Sequence, residues 1–197
     1  VFEPSLIAAP QSDLRHWRFV WESLSDLNEQ IRSYSGEVEI LFGEVPEILE
    51  RLCSVFDVQG MYSHQESGID ITFKRDLEVK QILFKKNIPW NEYQQQGVKR
   101  GRKNRSNWVQ DWFAYVKGPI QPVNWGKATF QELPKDISTA FTLPEFTSVW
   151  SAKNPLFQPG GSTSGNKYLK TFLLERHRTY SKHISKPELS RKSCSRL

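Results

Sequence analysis

The sequence predicts an α/β fold: an open, mostly parallel, Rossmann-like sheet with helices on both faces, followed by a long linker and a C-terminal helix. Three observations predict it. Short apolar runs alternate with amphipathic helical stripes about every 20 residues, as parallel strands with helical crossovers require. The alternation stops near Gly97, and a proline-punctuated stretch without periodicity follows. The chain is long enough for one sizeable core, and its 12 Phe, 7 Trp and 6 Tyr are not the composition of a disordered segment.

The elements follow in order. Val1-Phe2, ahead of Pro4, reads as the end of a strand. Ser12 and Asp13 are caps for a helix whose Trp17, Val20, Trp21, Leu24, Leu27 and Ile31 recur every three or four residues, and this helix ends before Gly36. Strands are expected within 37–42, 57–62 and 88–92, neighbouring and parallel. Pro46 opens a second helix running to about Ser54, with Ile48, Leu49 and Leu52 inward. A third runs from about Phe73 to Lys86, with Leu77, Ile82 and Leu83 apolar. Trp108, Trp112 and Tyr115 share one face of a short aromatic helix, either a core face or a stacking surface. Residues 118–162 read as an inter-domain linker. A last helix spans about Ser164 to His183, with Tyr168, Leu169, Phe172, Leu173 and Tyr180 on one side.

Several function classes are excluded or disfavoured. Cys53 and Cys194 are too few for a disulfide scaffold or a cysteine-rich zinc site, and they point to a reducing cytoplasm. No run of 18 apolar residues is present, and Val1-Phe2-Glu3-Pro4 does not read as a signal peptide. His16, His64, His177 and His183 show no metal-ligand spacing, so no metal site is expected. No Gly-x-Ser-x-Gly elbow and no glycine-rich dinucleotide loop occur. No catalytic residue is assigned.

The charge is uneven. Residues 167–197 hold nine Lys and Arg against two acids, a net +7, while residues 1–166 carry −2. A second basic cluster is the loop bearing Lys99, Arg100, Arg102, Lys103 and Arg105. Both can attract phosphates; a solvated loop, or an acidic protein partner for the tail, is the plainer reading. The loop His64-Gln65-Glu66-Ser67-Gly68 follows a strand, at the end of an open sheet where ligands bind.

Several segments together resemble the DNA photolyase/cryptochrome family. Val1-Phe2-Glu3-Pro4 resembles the end of its second strand, and Leu14-Arg15-His16-Trp17-Arg18-Phe19-Val20-Trp21 continues to Leu27 like its next helix. Met61 to Gly68, followed by Lys74-Arg75-Asp76, resembles the loop and helix after its fourth strand. Gly160-Gly161 resembles the opening of its flavin domain. Pro187 through Leu197 resembles the start of the stretch that wraps the FAD phosphates. The chain departs from the pattern in lacking the first strand's signature. Ser162 stands where Glu is common, Ile71-Thr72 where folate-type members carry Asn-Glu, and Cys194 where Thr is usual.

The resemblance implies a photolyase-type α/β domain over 1–117, a linker over 118–162, and the beginning of a helical FAD-binding domain over 163–197. It implies antenna-pocket candidates His64, Gln65, Glu66, Lys74, Arg75 and Asp76, and a partial FAD-phosphate motif at Cys194, Ser195, Arg196 and Leu197. The full-length parent would be a flavoprotein that repairs pyrimidine dimers in DNA, using light and FAD. An antenna chromophore of unspecified type would accompany it. The 197-residue fragment itself is expected to be inactive and free of FAD, and its exposed C-terminal helix offers a route to self-association. A cryptochrome-like blue-light receptor and an unrelated Rossmann-like interaction domain are the alternatives.

Overall fold

The computed structural model describes residues 1–183. These form two compact units. The first comprises Val1–Pro10, Ile40–Asn124 and Glu132–Leu143; the second comprises Gln11–Glu39, Trp125–Gln131 and the described residues from Pro144.

In the first unit, α1 (Pro4–Ile7), α3 (Val45–Val55), α4 (Asp70–Lys85), α5 (Trp108–Val116) and α6 (Lys135–Ala140) accompany two strands, β1 (Met61–His64) and β2 (Trp90–Tyr93). Helix α3 packs two ways. Its Ile48 joins Leu41, Ile137 and Phe141, while its Leu49 joins Val79, Ile82 and Leu83 of α4, with Met61 and Trp90 against that second cluster. Ile48 and Leu49 are successive residues, about 100° apart around the helix, so one turn serves both clusters. Pro46 lies in the first turn of α3, which begins one residue earlier at Val45. Helix α4 starts at Asp70, earlier than its apolar stripe indicates. There Thr72 Oγ1 donates to the Ile69 carbonyl at 2.7 Å and accepts from the Ile69 N–H at 3.3 Å. Of the apolar residues named for this helix, Ile82 and Leu83 are buried and Leu77 is exposed, and Val79 is buried with them.

The sheet corrects the predicted fold class. Strands β1 and β2 pair in parallel, Met61 opposite Trp90 through His64 opposite Tyr93, and this two-stranded sheet is the whole of it among the described residues. It is not an open Rossmann-like sheet. The apolar run 37–42 is not a strand, because its backbone groups have other partners. The Val38 N–H donates to the Asn28 side-chain carbonyl at 2.6 Å, and the Phe42 N–H donates to the Phe141 carbonyl at 2.8 Å. Only one residue of the run pairs, in the isolated parallel bridge Phe2–Phe42. Nor are helices on both faces: Tyr62, His64, Asn91 and Tyr93 leave one face exposed, while Met61, Ser63, Trp90 and Glu92 are half-buried.

In the second unit, α2 (Leu14–Ile31) is capped by Asp13, whose carboxylate accepts the Arg15 N–H at 2.9 Å. Trp17 packs on Trp150, with centroids 6.4 Å apart. The stretch 118–162, expected as a linker, carries helix α6, a 3-10 turn at Trp125–Lys127 and another at Glu145–Ser151; Ile137 and Trp150 within it are buried. Helix α7 (Ser162–Leu174) begins near the expected position but does not reach His183. At Glu175 the backbone leaves the helical region (φ −131°, ψ −61°). Next to it the Arg176 guanidinium turns back, donating to the Tyr168 carbonyl and to Thr171 Oγ1. A 3-10 turn at Arg176–Thr179 and the short α8 (Tyr180–His183) follow.

Candidate functional site

The six antenna candidates divide in the structure. Arg75, on α4, is a hub. Its guanidinium donates to Glu3 at 2.7 Å and to Asp76 at 2.8 and 3.0 Å, and it lies 3.7 Å from the Glu66 carboxylate. Burial works against its charge, yet hydrogen bonds to Glu3 and Asp76 outweigh that and hold its pKa above the ordinary arginine value. Glu3, with a side chain 3% exposed, is the functional-looking residue that sequence reading missed. A lone acid between an apolar pair and a proline carries no pattern, and its partner lies 72 residues away.

The other candidates stand apart from this hub. Lys74 points to Asp70 at 2.6 Å and is exposed, an ordinary i,i+4 pair worth a few tenths of a kcal/mol, about. His64 ends β1 on the exposed sheet face. Gln65 continues the ladder, its N–H donating to the Tyr93 carbonyl at 2.8 Å. A cleft of about 610 Å3 opens beside the hub, and Lys74 and Arg75 line it together with Glu47, Glu50 and Glu78. Among the described residues no aromatic side chain lines this cleft, so they offer a planar pigment no stacking partner there. With its donors held by carboxylates, Arg75 is built as a clamp between the N-terminal segment and α4.

The basic loop is likewise more ordered than its composition indicates. Arg100 donates to both oxygens of Glu92 at 2.9 Å. Asp111 on α5 lies 3.0 Å from Lys99 and 2.9 Å from Arg102, and these hydrogen bonds hold its carboxyl below the ordinary range. Three of the five cations are therefore neutralised locally, and Lys103 and Arg105 have no acidic partner among the described residues. Gly97 (φ +72°) shapes the loop where Trp112 crosses it. A Cβ there would lie 2.7 Å from the indole. Trp108 and Trp112 stack with centroids 6.4 Å apart, and the Tyr115 hydroxyl donates to the Gln94 carbonyl. Trp112 and Tyr115 thus meet the loop, yet no residue of α5 is buried, and Trp108, Val109, Phe113, Tyr115 and Val116 are all exposed.

Cys194, Ser195, Arg196 and Leu197, expected as a partial FAD-phosphate motif, lie outside the described residues. Leu169 and Leu173 of α7 are exposed. Burial pushes the Cys53 thiol up, away from a reactive thiolate. Among the described residues, no three His, Cys, Asp or Glu side chains gather as metal ligands, and no helix is long and apolar enough to cross a membrane.

No curated protein matches the sequence. A family model does. The DNA photolyase model matches residues 1–99, which span both strands, the Arg75 hub and the start of the basic loop. That match takes in more than half of the sequence, and the chain belongs to the DNA photolyase family.

Proposed function

We propose that this chain is the antenna-side portion of a light-driven, FAD-dependent DNA photolyase that repairs pyrimidine dimers. The observation that carries the reading is the family match over residues 1–99. The Gly160-Gly161 opening of α7, with Leu169, Phe172 and Leu173 downstream, supports extending it to the beginning of the flavin domain at 163–197. When bound, a flavin supplies the electron that splits the dimer. The described residues contribute scaffold: the Arg75 hub fixes the N-terminal segment, and the α2–α7 contacts fix the entry to the helical part.

Two measurements test this. The full-length parent, purified in the dark, should show flavin absorbance and lose dimers from ultraviolet-damaged DNA only under blue light. A parent with flavin and no repair activity would replace this reading with a light-receptor role. The 197-residue chain alone should be nearly colourless above 400 nm after gel filtration; stoichiometric FAD on it would overturn the assignment of the flavin site to a separate helical domain.

A further inference from the structure

The second unit contains a cleft of about 660 Å3 on α2, the 151–160 segment and α7. Trp21, Phe157 and Tyr168 line it, and all three are half-buried. The volume falls within the range of small-molecule sites, and aromatic walls select a flat ligand. Phe157 is held in place from within the fold. The Arg18 guanidinium, whose side chain is 5% exposed, lies 5.2 Å from the Phe157 ring centroid and donates to Glu22 at 3.3 Å. A buried cation on an aromatic ring is a fixed arrangement, so this wall is preformed.

The polar groups of the cleft decide the charge of the ligand. Its two carboxylates are saturated. Glu22 accepts from Arg18 and, at 2.7 Å, from the Gly160 N–H. Asp26 accepts from Gln30 at 2.7 Å, from Ser162 at 3.1 Å and from the Thr163 N–H at 3.2 Å. Among its donors the Ser25 and Ser151 hydroxyls are spent on the Trp21 and Ser148 carbonyls, whereas four other donor groups are unused among the described residues. Lys153 makes no ion pair, the Asn154 side-chain NH2 is unbonded while its Oδ1 accepts the Leu156 N–H, and the Ser164 and Tyr168 hydroxyls have no partner among the described residues. Unused donors around aromatic walls fit a ligand that brings acceptors and negative charge.

We propose that this cleft binds a planar aromatic anion of mononucleotide size, stacked on Trp21, Phe157 or Tyr168 with its anionic group at Lys153. This goes beyond the photolyase reading and does not depend on it: the cleft shares no lining residue with the Arg75 hub or with the cleft beside that hub.

The test is calorimetric titration of the 197-residue chain with adenosine 5′-monophosphate, adenosine and inorganic phosphate. The monophosphate should bind at one site, and at least about tenfold more tightly than adenosine or phosphate, the worth of one charge-assisted contact. Lys153→Glu, at an exposed side chain, should weaken it by at least about tenfold while leaving the melting temperature unchanged. Phe157→Leu should weaken both the monophosphate and adenosine. Three results would each overturn the proposal: no heat with the monophosphate, adenosine binding as tightly as the monophosphate, or an affinity that Lys153→Glu leaves unmoved.

Discussion

Glu3 and Glu44 cap each other's helices. Glu3 precedes α1 and accepts the first N–H of α3, that of Val45, at 3.3 Å. Glu44 precedes α3 and accepts the Ser5 N–H and hydroxyl of α1 at 2.9 and 2.8 Å. Each helix start leaves backbone N–H groups without intrahelical partners, and here each is met by the other's flanking acid. Glu3 does a second job, since it also receives Arg75.

That double role separates two substitutions. Glu44→Ala removes a cap and should cost about 1 kcal/mol in a urea melt of the whole chain. Glu3→Ala also deprives the half-buried Arg75 of its closest carboxylate, so its cost should be larger, about 3 kcal/mol. Equal losses would show that the Arg75–Glu3 pair contributes little beyond the cap.

The glycines opening α7 are fixed by contact. At Gly160, a Cβ would meet the Phe19 carbonyl at 2.2 Å and the Ser23 backbone nitrogen at 2.9 Å. At Gly161 (φ +92°) it would lie 2.6 Å from Asp26 Cβ. Gly160→Ala should therefore cost about 3 kcal/mol, since backbone atoms must move. Gly101→Ala, also at positive φ but with open space around it, should cost only about 1 kcal/mol. Parallel urea melts check the order, and a Gly160→Ala protein as stable as wild type would disprove the close approach.

Asp26 gives the same junction a pH dependence. Its hydrogen bonds with Thr163, foremost, and with Ser162 hold its pKa below the ordinary 3.8. A depressed carboxylate contributes stability above its unfolded value, and that contribution is lost as pH falls through the lower folded value. Asp26→Asn should thus be less stable than wild type by a constant margin above about pH 5, and the margin should close as pH drops below about 4. Circular-dichroism urea melts at pH 7, 4 and 2.5 measure it; a margin independent of pH would show that the carboxylate charge plays no part.

What the sequence made legible follows from which interactions are local. The helices around Trp17–Ile31 and Pro46–Ser54 announce themselves through caps, a proline and 3.6-residue stripes, all within a few positions. The parallel β1–β2 pair is also visible, as two apolar runs flanking a helical one. The Val38–Phe42 run has the same local signal as a strand, and only tertiary partners, Asn28 on the preceding helix and Phe141 far along the chain, decide that its backbone bonds elsewhere. The Arg75 hub is half legible: Glu66 and Asp76 lie near it in sequence, whereas Glu3 does not. The basic loop misleads for a different reason: Glu92 and Asp111 are near in sequence but lie outside the cluster, and only the fold turns them back onto it.

The loop's neutralisation can be reversed by one change. Asp111 holds Lys99 and Arg102, so Asp111→Asn frees two cations at the tip of a loop that already carries Lys103 and Arg105. Nonspecific DNA binding is driven by counterion release, each neutralised phosphate adding about 0.9 to the slope of log affinity against log salt. If the loop touches DNA, Asp111→Asn should raise affinity for an undamaged duplex at low salt and steepen that slope by up to about 2. Lys103→Glu with Arg105→Glu should lower both. The tail is tested separately by Lys167→Glu with Arg178→Glu, which removes cations at and beyond α7. Fluorescence anisotropy across a potassium chloride series resolves the two regions. Asp111→Asn without effect, alongside a clear loss for the Lys167/Arg178 pair, would place the DNA contact on the tail and leave the loop as a self-neutralised surface.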